Sequence, residues 1–274
     1  MTPPPTDRLT AAGSGSSAAT VTAVMRTADV LTFLAQAPPR PVGVTEIATG
    51  LGLSKAVVYR ILVSLQDRGY VEFHGPSRRY LLGPKCLALG TAYLERTDTR
   101  RSVHDALVTL SARSEETATM SLRTGWERMY VDQILPADDI KMVVPIGRLF
   151  PLHAGASSKA FLAFLPEAER ERFFAEHPRL PALTDRTVID ATALRRELDE
   201  IRQCGYASSR GERQHGAASV AAPILDASGI PTAVISVCGP IDRFEARRED
   251  AARLLLEETD VLSRQVHHGS PLAF

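Results

Sequence analysis

The chain has 274 residues, of which 44% are hydrophobic and 23% charged, and its 32 Lys and Arg are balanced by 32 Asp and Glu. This is the composition of an ordinary soluble protein with room for one or two hydrophobic cores. No apolar run reaches the roughly 18 residues that a membrane span needs. The three widely spaced cysteines, Cys86, Cys204 and Cys238, form no C-x-x-C pair, which points to a reducing cytosol and away from a disulfide or zinc framework. Each sits in an apolar stretch that suits a small buried residue.

Residues 1–20 contain Pro3-Pro4-Pro5 and Gly13-Ser14-Gly15-Ser16-Ser17, with neither the basic nor the apolar region of a secretory signal, and are expected to form a disordered tail. Val24, Ala28, Leu31 and Ala35 then mark a helix that stops before Pro38-Pro39. Residues 44–51 read as a short helix that Thr45 can cap. After a turn at Gly52, Ser54 caps another helix, which stops at Gly69. Val58, Ile61, Leu62 and Leu65 make its apolar face, and Ala56, Tyr59, Arg60 and Val63 point the other way. Two short helices around a tight turn are the unit that puts a helix into the DNA major groove.

Residues 70–74 and 79–82 flank Gly75-Pro76-Ser77 as a β-hairpin with Arg78 and Arg79 at its tip, which completes a winged helix-turn-helix over residues 21–84. Residues 21–85 carry eight Lys and Arg against four Asp and Glu, a net of +4. The sign suits a DNA-binding module, although charge of that size is also common on solvated faces.

Pro84 opens a helix that reads as a linker over residues 85–98. Within residues 99–268, Val103, Leu107 and Leu110 form a helical stripe. Residues 117–123 alternate strictly, with Ala118, Met120 and Leu122 on one face, and 128–133 and 140–145 read as further strands. Leu194, Leu198 and Ile201 mark a helix stopped at Gly205. Residues 219–225 and 230–237 form a hairpin, and an amphipathic helix over 244–261 closes the chain. The fold class is α+β.

Gly52-Leu53-Ser54-Lys55-x-x-Val58-Tyr59-Arg60-Ile61-Leu62-x-x-Leu65-x-x-x-Gly69-Tyr70 resembles the recognition segment of IclR-family transcriptional regulators. Pro151-Leu152-His153-Ala154, Lys159-Ala160, Leu180-Pro181-Ala182-Leu183-Thr184, Gly205-Tyr206-Ala207, Glu212-x-x-x-Gly216, Ala221-Ala222-Pro223 and Gly239-Pro240 resemble landmarks of that family's effector-binding domain, in the same order. The resemblance spans residues 24–265. It implies a cytoplasmic, ligand-responsive regulator, a repressor more readily than an activator, that binds double-stranded operator DNA. It also implies a GAF-like C-terminal domain for a small-molecule carboxylate and a homodimer, with a dimer of dimers left open.

Carried over residue by residue, the resemblance assigns DNA contacts to Ser54, Lys55, Ala56, Tyr59 and Arg60 and to Arg78 and Arg79 on the wing. It assigns the polar part of the effector pocket to Ala156, Ser157, Ser209, Ser219, Ser236 and Cys238, and the apolar wall to Met142 and Phe150. A helix opening near Ser157 would offer free amides to an anion. Family members often have Ser-Thr at Ala56-Val57, Asp at Ser209 and Cys at Ser219. The departures imply a different operator and a larger ligand, with an aromatic carboxylate expected. Ser219, Ser236 and Cys238 equally suit small positions in a packed sheet.

No catalytic constellation emerges. Ser157-Ser158-Lys159 lacks the S-x-x-K spacing because position 156 is Ala, and the G-x-S-x-G, P-loop and G-x-G-x-x-G patterns are missing. Glu212-x-x-His215 has the spacing of half a di-iron site but occurs once. His153 reads as a structural hydrogen-bonding residue. The expectation is a non-enzyme without cofactor or metal; the alternative is a small-molecule enzyme or sensor whose N-terminal domain serves protein contacts.

Overall fold

A computed structural model describes residues 21–38, 40–94 and 99–267. The tail expected over residues 1–20, positions 95–98 of the expected linker and position 268 lie outside the described residues. The chain divides into two compact units between Pro84 and Lys85.

The first unit contains α1 (Thr22–Gln36), α2 (Val44–Leu51), α3 (Lys55–Asp67), β1 (Val71–His74) and β2 (Arg79–Leu82). Val30, Leu34, Ile47, Ala48, Val58, Leu62, Leu65, Val71 and Tyr80 form its core. The stripe expected on α1 is displaced, because Val30 and Leu34 are buried while Val24 is 65% exposed. The second half of α1 packs on the unit, where the Phe33 ring fills the space a side chain at Gly50 would occupy. The N-cap of α2 is Gly43, so Thr45 lies within the first turn and does not cap it.

Gly52 takes a left-handed φ of 62°, and α2 and α3 meet at 116°, within the range of a helix-turn-helix. Ser54 Oγ accepts from Val57 N at 3.4 Å and caps α3. At the far end, Gly69 has φ 74° and the Tyr70 amide donates to Leu65 O at 2.9 Å, which closes the helix and turns the chain into the wing. The wing returns beneath this exit: Gly83 N donates to Tyr70 O at 2.8 Å.

The second unit contains α4 (Pro84–Leu94), α5 (Thr99–Ser114), β3 (Thr117–Thr124), β4 (Glu127–Ile134), β5 (Leu149–Pro151), α6 (Ala156–Phe164) and α7 (Glu167–Glu176). It continues with α8 (Ala191–Cys204), β6 (Ala207–Arg210), β7 (Ala217–Leu225), β8 (Pro231–Pro240), the short α9 (Ile241–Phe244) and α10 (Arg248–His267). Six strands form one antiparallel sheet in the order β5-β4-β3-β8-β7-β6. Ala118, Met120 and Leu122 of β3 face α5 and α10 in one core, and α6, α7 and α8 pack with Ala221 and Val234 in a second core. Helices therefore cover both faces, giving an α/β layering.

The strand expected over residues 140–145 is not formed. The Gln133 side chain donates to Val144 O and accepts from Val144 N, both at 3.1 Å, and Thr117 Oγ1 donates to Met142 O at 2.6 Å. Side chains thus satisfy backbone groups that a neighbouring strand would otherwise pair. The partner of β4 is instead β5. Cys238 is buried, whereas Cys86 is partly exposed and Cys204 exposed. Among the described residues no single helix is long and apolar enough to cross a membrane.

A methyl group at position 83 would lie 2.4 Å from the Gly69 carbonyl oxygen, a backbone atom that cannot turn aside. Gly83→Ala should therefore destabilise the N-terminal unit by about 1–3 kcal/mol or more. Gly75→Ala, with open space around position 75, should be close to neutral. Thermal unfolding of the two variants checks the contrast.

Candidate functional site

Burial of Val58, Leu62 and Leu65 turns the opposite side of α3 outward. Ser54, Lys55, Ala56, Tyr59 and Arg60 are all exposed there, Tyr59 to 54%. The first two turns thus present two cations, an aromatic ring and two small residues on one surface. On the wing, Arg78 has φ 51°, a left-handed backbone uncommon outside glycine. Arg79 differs from a free tip residue. It donates at 3.4 Å to both Glu46 Oε2 and Pro41 O, and Glu46 also pairs with Arg40 at 2.6 Å.

In the second unit, Met142, Ala156, Ser157, Ser209, Ser219 and Cys238 line one cavity of about 30 Å³, together with Arg128, Tyr130, Val144, Gly155, Glu212 and Arg213. Strand register explains the polar floor, since Ser209 pairs with Ser219, Ser219 with Cys238 and Cys238 with Thr117 across four strands. Two residues expected in the lining are elsewhere. Ser236 lies two residues back from Cys238 on β8, where its hydroxyl bonds Thr119 Oγ1 at 2.6 Å in the layer beneath. Phe150 stands behind the wall, its ring 5.8 Å from Tyr130.

The helix start is a feature of the local chain. Gly155 occupies the N-cap with φ 88° and ψ 154°, a conformation essentially reserved for glycine. Its carbonyl accepts from Lys159 N, so the amides of Ala156, Ser157 and Ser158 precede the helical ladder and have no intrahelical acceptor. All three residues are buried. A buried N-terminus of this kind carries a partial positive charge and favours an anion.

Lys159 holds this loop in place. Its ammonium, wholly buried, lies 2.5 Å from Glu212 Oε1 and 2.5 Å from Glu197 Oε1 on α8. Glu212 Oε2 accepts from Gly155 N at 3.0 Å, and the Glu212 carbonyl accepts from Thr187 Oγ1 at 2.6 Å and Thr184 Oγ1 at 3.1 Å. One glutamate thereby fixes the β6–β7 turn against the start of α6. His153 Nε2 donates to Pro181 O at 2.9 Å, and burial lowers its pKa, which favours neutral imidazole in a structural role.

Arg128 is the residue that sequence reasoning missed. It is 1% exposed and lines the cavity. Nε donates to Ser158 Oγ at 2.9 Å, Nη1 to Ser121 Oγ at 3.2 Å and Nη2 to Tyr130 Oη at 3.1 Å. Its carbon Cζ stands 4.2 Å from the Tyr130 ring centroid, and that of Arg213 stands 4.4 Å from the Phe150 ring centroid. Period-2 alternation along β4 places Arg128 and Tyr130 on one face, with Met129 and Val131 on the other. That was the available signal: a cation on the face turned toward the helix carrying the expected anion site.

A winged helix-turn-helix followed by this sheet and buried anion cradle is matched by two sequence profiles. One, described as "IclR helix-turn-helix domain", covers residues 23–75, and the other, "Bacterial transcriptional regulator IclR C-terminal", covers residues 91–264. The chain belongs to the IclR family. It is a transcriptional regulator with a helix-turn-helix domain and a C-terminal effector domain. It is 35% identical to the HTH-type transcriptional regulator Rv1719 of Mycobacterium tuberculosis over 85% of this chain and 88% of that one. Against the transcriptional repressor IclR of Escherichia coli the identity is 31%, over 74% of each chain. The crystal structure of an IclR transcriptional regulator from Alicyclobacillus acidocaldarius superposes with a TM-score of 0.80 at 29% identity, covering 89% of this chain and 98% of that one.

Two outcomes follow from the buried groups. Lys159→Met should lower stability in urea unfolding by about 3–5 kcal/mol, because the Glu212 carboxylate is left buried without its cation. The Cys238 thiol is pushed up to about 12 by burial, so the fold keeps its proton. Above the ordinary thiol value of about 8.5 the unfolded chain ionises first, and stability drains away as pH rises. In the native protein at a pH of about 8, iodoacetamide should label Cys204 and spare Cys238, as peptide mass mapping would show.

Proposed function

We propose that the N-terminal unit binds operator DNA through the first two turns of α3 and the wing, and that a small organic acid entering the C-terminal cavity changes operator affinity. The observation that carries this reading is the buried start of α6, whose amides open beside a cavity lined by two arginines. A carboxylate is the ligand group those donors complement. Tyr130 supports an aromatic acid, since its ring lines the cavity beside the donors and is backed by Phe150. A cavity of about 30 Å³ has room for only a few water molecules, so the acid must displace side chains. Arg213 is partly exposed and paired with no carboxylate among the described residues, which makes it the group freest to move.

The protein acts on the chromosome, in the cytoplasm, as a repressor; the relationship to the E. coli repressor supports that sign. It works as a homodimer reading two half-sites about 10 bp apart, or a multiple of that. Exposed Val24 and Met25 on α1 and Leu87 and Leu89 on α4 support self-association. The matching relatives named as transcriptional regulators support a role without catalysis.

Fluorescence anisotropy on operator DNA tests the reading. Arg60→Ala should weaken binding by about 1–3 kcal/mol with relaxed preference at one base pair if Arg60 reads a guanine, and weaken all sequences evenly if it holds a phosphate. Unchanged affinity would remove α3 from the DNA. Ser157→Pro deletes one amide at the start of α6, where proline is tolerated. It should weaken acid binding while leaving ligand-free operator binding intact.

A further inference from the structure

Arg128 is a buried cation whose charge no group among the described residues neutralises. Its recorded hydrogen bonds go to the hydroxyls of Ser158, Ser121 and Tyr130, all uncharged. Among the described residues Glu212 is the one acidic residue in the cavity lining, and its two carboxylate oxygens are taken by Lys159 Nζ and Gly155 N. The neighbouring Arg213 adds a second positive charge instead of relieving the first. Burial and Arg213 both press the Arg128 pKa downward, yet a guanidinium stays protonated in proteins. Burying an ion without a counter-ion opposes folding strongly. The arrangement makes sense where an anion arrives from outside.

The fork keeps donors for such an anion. A guanidinium carries five N–H groups, and three are used, so one on Nη1 and one on Nη2 remain. The bond from Nε to Ser158, in the first turn of α6, brings the guanidinium beside the free amides of Ala156 and Ser157. The three hydroxyls and the Tyr130 ring fix the plane of the fork.

We propose that Arg128 binds the carboxylate of the ligand and is the residue that makes this cavity accept anions and refuse neutral molecules of the same shape. The proposal rests on the reading of the cavity as an acid-binding site. Arg213 adds positive potential at the same cavity, and the aromatic rings of Tyr130 and Phe150 support the two guanidiniums.

The test is thermal unfolding of the full chain with acetate, succinate, benzoate and the neutral isostere benzamide, at matched ionic strength, in wild type, Arg128→Met and Arg128→Lys. At least one carboxylate should raise the wild-type midpoint while benzamide leaves it unmoved. Without ligand, Arg128→Met should be at least as stable as wild type, because an uncompensated charge has been removed. Its affinity for the effective carboxylate should fall by about ten- to a hundredfold. Arg128→Lys keeps the charge but lacks the planar fork, so it should keep the preference for anions at reduced affinity.

A carboxylate response preserved in Arg128→Met, or a benzamide response equal to that of benzoate, would overturn the role of Arg128 and leave the acid site standing. No carboxylate response in wild type would overturn both. Failure of Arg128→Met to fold would contradict the expected ligand-free stability, and wild-type affinity in Arg128→Lys would separately overturn recognition by the fork.

Discussion

The buried contact between Lys159 and Glu212 is what the C-terminal unit is built around. It joins the first helix after the sheet's edge strand to the turn between β6 and β7, two segments 53 residues apart in the chain. Removing Lys159 leaves the buried Glu212 carboxylate without its cation, so the lysine holds the turn in position. The second oxygen of Glu212 reaches the Gly155 amide, and Gly155 takes a backbone conformation that other residues rarely adopt. Together these constraints set where the free amides of α6 open, and therefore where the cavity lies.

Electrostatics in this cavity is organised by separation. Lys159 uses the available carboxylates, and Arg128 and Arg213 are left with hydroxyls and aromatic rings. The helix start contributes in the same direction. The cavity is therefore positive and its donors are buried, conditions that strengthen electrostatic attraction. Regulation needs one thing more: the anion must favour one arrangement of the DNA-binding units over another, because equal affinity for both would shift nothing.

Much of the fold was legible because the relevant signals are local. Val58, Leu62 and Leu65 repeat at helical spacing and are the buried face of α3; Ala118, Met120 and Leu122 alternate and lie on one side of β3; Gly205 ends α8 in a left-handed conformation. Residues 140–145 read as a strand from their apolar, β-branched composition, yet Gln133 and Thr117 provide their hydrogen bonds from a distance that local pattern does not see. Family resemblance named six residues that line the cavity. It missed Arg128 because a charge on a strand ordinarily means solvent, and here helices cover both faces of the sheet. Ser236 was expected in the lining, and its hydroxyl is bonded instead to the Thr119 hydroxyl opposite it.

Reciprocity is the most direct measure of the central claim, that one chain couples an anion in the C-terminal cavity to DNA at α3. Isothermal titration of the acid into the free protein and into the saturated operator complex gives its affinity in both states. If the acid alters operator affinity by some factor, operator must alter acid affinity by the same factor, typically about 5- to 150-fold. The account predicts weaker acid binding in the operator complex than in the free protein. Equal affinity in the two states would contradict it, since an acid that binds both equally cannot control the DNA-binding unit.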